Sequence, residues 1–410
     1  MFDLRLTSEQ IEFRDMVRSF ATNEVRPAAL KPDRLEPFAK PLLVDLLNET
    51  SALGLRTLTL SEDNGGVGAN SMSSCIVLEE LASGDVDIAA VMGRTELLAR
   101  ELFDLHMTDG QRAQFLEAFH GDEKFHLAYT GNDPEKDLGW SYHGDAVSDA
   151  PGLPTATLEG DDYVIDGSVE HVANAPIAGL LVVEVKSAKG SGTSAVLVPR
   201  DTSGLTISEP LDAVKGSHIR WHHGTAAKVD FKSCRVPKAN LLGLEGQNPF
   251  TTSGYFNKDT LQRAAINLGL GQVAFETAIE YAGIRRQGAR NIIEHGNIGD
   301  KIADMAVKLE LARTMIWKAA WTADNPDAVG QGSVSDLPLD LVASTFTAES
   351  VQEITVLAAE FFGAMGIMRD MPLQKFVNDG NIFANSADHG IATKLRIAEA
   401  VIGYVRARAA

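Results

Sequence analysis

Apolar residues recur at helical intervals from the start of the chain. Ile11, Phe13, Met16, Val17, Phe20 and Ala21 follow Thr7 and Gln10, which have capping-box spacing, and Pro27 marks the expected stop. A second helix is expected over 41–53, then a short extended stretch over 55–60. The run Asn64-Gly65-Gly66-Val67-Gly68 reads as a tight loop, because glycine tolerates positive φ. Further helices are expected over 71–81, 88–105 and 109–119.

Near Phe125 the period changes. Alternating, β-branched segments at 155–158, 163–165, 180–185, 194–198, 205–207 and 227–231 are separated by turn residues such as Glu159-Gly160-Asp161-Asp162 and Asp166-Gly167. This pattern predicts a small antiparallel barrel or sandwich, and the absence of strand–helix alternation argues against a Rossmann sheet. From Asp259 the helical period returns, over 259–285, 297–323, 338–363 and 387–407, which describes a four-helix bundle. The expected organisation is an N-terminal all-α domain (1–124), a middle β-domain (125–242) and a C-terminal four-helix bundle (243–410).

Composition narrows the function. The 410 residues carry 37 Lys and Arg against 56 Asp and Glu, a net charge of −19, which disfavours nucleic acid and anionic membranes as partners. At 44% hydrophobic and 23% charged residues the chain reads as globular. Cys75 and Cys234 are the only cysteines, too few for a disulfide framework or a thiolate metal cluster, so a reduced, cytoplasmic setting is expected. No basic run with an apolar core opens the sequence, and no apolar stretch approaches the ~20 residues of a membrane helix.

Several motifs, in order along the chain, resemble the acyl-CoA dehydrogenase family. They are Gly65-Gly66-Val67-Gly68, the strand-end run from Phe231 through Cys234-Arg235-Val236-Pro237 to Gly243, and Leu268-Gly269-Leu270-Gly271 through Tyr281 to Arg285. Ile302-Ala303-Asp304-Met305, Phe362-Gly363-Ala364-Met365-Gly366 and Met371-Pro372-Leu373-Gln374-Lys375 with Asp379 complete the set. The resemblance covers essentially the whole chain. It implies FAD, a coenzyme A thioester substrate, a carboxylate base that takes the Cα proton, and transfer of a Cβ hydride to flavin N5. It also implies a tetramer, either a homotetramer or an α2β2 assembly with a second chain of the same family.

The resemblance is broken where the chemistry sits. Counting from Asp379, the family's usual base position holds Ala387, which cannot accept a proton; Asp388 lies one residue on, where a first-turn helix role is the alternative. A minority of the family places its base on the first bundle helix, and that position falls on Asp259, followed by Thr260 where the family has Arg, with Arg263 nearly a turn later. Asp259 also reads as the N-cap of a helix starting near Thr260. At the expected flavin positions, Tyr129 is kept, Asn132 replaces a Thr, His171 replaces a Trp, and Ala173 loses a hydroxyl. Ser141 lies near the family's pyrophosphate contact. Arg285 is retained for phosphate, while Glu360 and Gly363 fall in the third-helix motif that faces a neighbouring subunit's FAD. A Glu360 there needs Arg285, Arg286 or Arg290 to neutralise it.

Arg94 lies in the region that lines the family's acyl pocket; buried there it suits an acidic or polar acyl group, and the alternative is a surface Arg. Six of the ten histidines lie between Phe125 and Asn240, but without metal-ligand spacing, so no metal is expected. Two functions follow: an FAD-dependent dehydrogenase of an unusual acyl-CoA, or a non-catalytic subunit of a heteromeric acyl-CoA dehydrogenase. Repurposed flavoproteins of the same fold are the remaining alternative.

Overall fold

A computed structural model describes residues 5–31, 42–132, 152–187, 192–210, 222–329, 334–368, 370–386 and 390–404. The chain opens with α1 (Ser8–Phe20), closed by the capping box of Thr7 and Gln10. It does not stop at Pro27. A π-helical stretch, Ala21–Val25, leads into α2 (Arg26–Ala29), and Pro27 sits in the first turn of α2, where its missing N–H is harmless. Then come α3 (Val44–Ala52), α4 (Ser71–Ala82), α5 (Val86–Ala99) and α6 (Asp109–Gly121). The stretch expected to be extended instead forms a 3-10 turn, Leu55–Thr57, with Leu55, Leu58 and Leu60 all buried. Its apolar spacing serves a turn as well as a strand.

The middle of the chain forms one mixed sheet. Its strands are β1 (His126–Tyr129), β2 (Thr155–Glu159), β3 (Asp162–Ala173), β4 (Ala178–Ser187), β5 (Thr193–Pro199), β6 (Leu205–Ile207), β7 (Ala226–Pro237) and β8 (Leu241–Leu242). The order is β6-β7-β3-β2-β4-β5-β8, with β1 beside β4. Most pairings are antiparallel, but β1–β4 and β2–β4 are parallel, a departure from the purely antiparallel expectation.

The C-terminal helices are α7 (Tyr255–Ile284), α8 (Gly296–Asp324), α9 (Leu339–Phe361), α10 (Leu373–Ala384) and α11 (Ile391–Ile402), with a hairpin of β9 (Arg286–Gln287) and β10 (Arg290–Asn291) after α7. Helix α10 lies between the stretches expected as the third and fourth bundle helices, 338–363 and 387–407. Its Leu373, Phe376 and Phe383 are buried at helical spacing.

The largest core ignores the sequence-based domain borders. Leu78 and Leu81 of α4, Ile88 and Met92 of α5, and Leu261, Leu268 and Leu270 of α7 lie in one cluster. Gly269 permits the α4–α7 contact: a Cβ there would lie 2.1 Å from the Glu79 carbonyl oxygen.

A buried charged junction ties all three regions together. Lys375 of α10 donates to Asp379 at 2.5 Å and lies 3.8 Å from Asp85, which caps α5. Asp87 accepts from the Gly224 N–H at 2.9 Å, and His223 Nε2 donates to the Asp379 carbonyl at 3.2 Å. Burial pulls the Lys375 ammonium down, but Asp379, Asp85 and Asp87 pull harder, so it holds its proton more tightly than usual.

Candidate active site

The site is built where α5 meets α7 beneath the end of β3. Helix α5 is buried along almost its whole length, charged residues included. It runs into a π-helical stretch, Arg100–His106, in which Glu101, Leu102 and Phe103 continue the burial.

Helix α7 begins four residues before Asp259. Gly254, at φ +78°, occupies the left-handed position just ahead of Tyr255. Asp259 therefore lies one turn inside the helix, and the N-cap reading is corrected. Its side chain, 13% exposed, pairs with Arg263 one turn on, with Nη2 to Oδ2 at 2.9 Å. Thr260 is buried.

Arg94 is half-buried rather than a surface residue and makes no hydrogen bond or ion pair among the described residues. Its charge acts on Tyr255 and on His171. Burial pushes the Tyr255 phenol far above its ordinary range; Asp259 and Glu101 push the same way, and Arg94 and Arg263 oppose them. The structure thus pairs Asp259 with Arg263 and sets the charges of both, with that of Arg94, around the Tyr255 hydroxyl. It adds Tyr255 and Glu101, and also Lys258 and His106, which flank Glu101.

His171 and Ala173 lie half-buried on one face of β3, while Val172 between them points into the core. Burial, then Arg94, push His171 down to about 4, so its ring is neutral near pH 7. Its ring centroid lies 5.0 Å from that of His222. Asn132 is exposed at the end of β1. Tyr129 is not a free ring for a cofactor. It stacks on Phe250 at 4.5 Å, and its hydroxyl accepts from Asn248 at 2.8 Å and donates to Glu184 at 3.3 Å, so only its backbone is left to offer. Ser141, Ala387 and Asp388 lie outside the described residues.

At the far end of α7, Arg285, Arg286 and Arg290 are all exposed on or beside the β9–β10 hairpin. Glu360 is neutralised by Lys301 and not by this trio, because α8 runs beside α9. Gly363 has φ +57° just after Phe362, whose ring stacks on Tyr281 at 3.9 Å.

Behind Arg94 sits a buried carboxyl that sequence reading missed. Glu96 Oε1 accepts from Ser74 and, at 2.8 Å, from Gln262 of α7, while Oε2 is buried with no partner. Burial pushes Glu96 up to about 8, against the opposing pull of Ser74 and Arg100. The folded chain therefore holds a proton here that the unfolded chain releases near its ordinary 4.5. Stability from this group is full below about pH 4.5 and is lost as pH rises to about 8. Glu96→Gln should flatten that decline by a few kcal/mol over this window. Urea midpoints at pH 5 and pH 8 measure it, and equal slopes in both proteins would contradict it.

Comparisons with known proteins agree on one family. Residues 7–122 match the family described as acyl-CoA dehydrogenase, N-terminal domain, and residues 251–384 match acyl-CoA dehydrogenase, C-terminal domain. The mitochondrial isobutyryl-CoA dehydrogenase of Dictyostelium discoideum is 29% identical over 378 residues, covering 91% of this chain and 84% of that protein. Among solved structures, butyryl-CoA dehydrogenase from Megasphaera elsdenii superposes with a TM-score of 0.81 at 22% identity, covering 98% of this chain and 100% of that one. A glutaryl-CoA dehydrogenase from Mycobacterium smegmatis, solved in complex with FADH2, gives 0.78 at 18% identity, covering 98% and 97%.

Proposed function

The chain belongs to the acyl-CoA dehydrogenase family, and from that premise we propose that it desaturates an acyl-CoA thioester between Cα and Cβ with Asp259 as the base. FAD is the family's cofactor. The donor set here fits it. Asn132 and a neutral His171 offer hydrogen-bonding edges, Ala173 leaves room beside the ring, and the exposed Arg285, Arg286 and Arg290 supply cations for a pyrophosphate. Bound FAD supplies the acceptor for the Cβ hydride.

The observation that carries this reading is the Asp259–Arg263 pair, whose charges act on Tyr255 together with that of a half-buried Arg94 that makes no hydrogen bond or ion pair among the described residues. The Cα proton of a thioester is weakly acidic, so the base needs a carboxylate out of bulk water and held in one orientation. Arg263 does the holding, and the proton passes to Asp259 Oδ. Tyr255 keeps its proton at any working pH and serves as a donor to a substrate oxygen. Arg94 leaves one positive charge for the substrate to answer, which favours an acyl group bearing a carboxylate or another strongly polar group.

The test is the purified chain alone, by visible spectrum and native mass. A yellow homotetramer whose flavin bleaches with an acyl-CoA supports the reading. A colourless chain that takes up flavin only when a second family member is co-expressed sinks it in favour of the non-catalytic subunit.

A further inference from the structure

Glu96 of α5 is 1% exposed, and its side chain closes a triangle with two other helices. Glu96 Oε1 accepts from Ser74 Oγ of α4 and, at 2.8 Å, from Gln262 Nε2 of α7. Gln262 Nε2 also donates to Ser74 Oγ at 3.0 Å. All three residues are buried, so the triangle is an internal cross-link and not a surface contact. Gln262 follows Asp259 by three residues and immediately precedes Arg263, so the cross-link grips the turn of α7 that carries both. It also lies against α5 beside Arg94. A Cβ added to Gly93 would sit 3.4 Å from Gln262 Oε1 and 3.0 Å from Leu78 Cδ1, so α5 and α7 meet closely at this point.

The triangle suits a neutral side chain. Ser74 and Gln262 carry no charge, and Cys75 of α4 keeps its proton because burial pushes its thiol up. Among the described residues the cation that acts on Glu96 is Arg100. Thr59 reaches only the Glu96 backbone carbonyl, at 3.1 Å. Glu96 Oε2 is buried with no hydrogen bond, which a neutral carboxyl tolerates far better than a carboxylate. Burial pushes Glu96 up to about 8, so it is neutral at pH 7 and ionises as pH rises through about 8. An ionised Glu96 must be hydrated, and water reaches it only by parting α5 from α7. The turn that carries Asp259 and Arg263 is then released.

We propose that Glu96 is a positioning residue for the reaction: with Ser74, and through Gln262, it holds the turn of α7 that presents Asp259 and Arg263 to the substrate. This rests on the reading of Asp259 as the base, and goes beyond it by naming what keeps the base in place. Glu96 needs no contact with substrate or flavin in this role. A displacement of about 1 Å can cost a reaction on the order of 10²-fold, so a modest loosening of this turn is enough. The hold is present at pH 7 and is lost as pH rises through about 8. Proton abstraction should therefore fail on the alkaline side while acyl-CoA still binds.

The experiment follows two readouts of the full chain from pH 6 to pH 9.5. One is hydrogen exchange of the amides of residues 258–266, corrected for intrinsic rates, which needs no substrate. The other, on the FAD-loaded chain, is flavin bleaching and equilibrium binding with a saturated C4 acyl-CoA and with an acyl-CoA ending in a carboxylate. Between pH 7 and pH 9.5 the parent should lose at least tenfold in protection over 258–266 and at least tenfold in bleaching rate, while its dissociation constant shifts less than threefold. In Glu96→Gln, which stays uncharged, both losses should fall below threefold. Gln262→Ala cuts the link and should give, already at pH 7, the weak protection and slow bleaching of the alkaline parent. It decides alone if Glu96→Gln fails to fold, and exchange decides alone if neither acyl-CoA bleaches the flavin. Protection as pH-dependent in Glu96→Gln as in the parent would overturn the proposal. So would a Gln262→Ala variant that exchanges like the parent, or a loss of protection that is equal in α8. Protection that behaves as expected while Asp259→Asn bleaches at the parent rate would instead overturn the Asp259 reading and leave the hold of Glu96 on α7.

Discussion

Asp259→Asn is expected to abolish flavin bleaching by acyl-CoA, with the rate of reductive half-reaction falling at least about 10³-fold, or ~4 kcal/mol in barrier. The substitution removes the proton acceptor while keeping size and shape. The half-exposed faces of His171 and Ala173 are untouched, so flavin content should stay near that of the parent chain. Asp259 sits one turn inside α7, where Asn has a helix propensity close to that of Asp, so the fold should survive. Stopped-flow absorbance at the flavin band measures the effect. A variant that bleaches at the parent rate removes Asp259 as the base and turns attention to Asp388.

The second large effect concerns stability. Lys375→Met should destabilise the chain by about 3–5 kcal/mol, because it removes the buried cation whose charge Asp379, Asp85 and Asp87 share. The Lys375 and Asp379 side chains are 4% and 3% exposed, so water screens the remaining negative charges poorly. Adding Asp379→Asn to Lys375→Met should recover part of the loss, since one of the three carboxylates that faced Lys375 is gone. Denaturant midpoints of the single and double variants give the numbers, and a loss below about 1 kcal/mol for Lys375→Met would show that the junction carries no net stability.

Much of the fold was legible because its signals are local. Thr7 with Gln10 announces α1, the turn residues around Gly160 separate β2 from β3, and the period of α8 is visible to within a residue or two, whereas Asp166-Gly167, expected as a turn, is an irregularity inside β3. The misreadings arise where the same pattern serves two structures. The leucines at 55, 58 and 60 fit a strand or a turn, and only their burial against neighbouring helices chose the turn. The site was legible in part. Asp259 and Arg94 were implied by the resemblance to the acyl-CoA dehydrogenase family, but Asp259 also reads as a cap until Gly254 is seen to start the helix earlier. Glu96, Glu101 and Lys258 carried no motif. Their roles come from burial and from pairing between α5 and α7, which are contacts between distant parts of the chain.

The shared core of α4, α5 and α7 has a consequence for synthesis. About 170 residues separate the end of α4 from the start of α7, which at 5–20 residues per second is roughly 10–30 s of translation. Through that interval Leu78, Leu81, Ile88 and Met92 have emerged from the ribosome without the helix that covers them. The nascent N-terminal segment is therefore a natural client for a holding chaperone. Truncations ending before α7 should accumulate as aggregates and not as a folded half-protein.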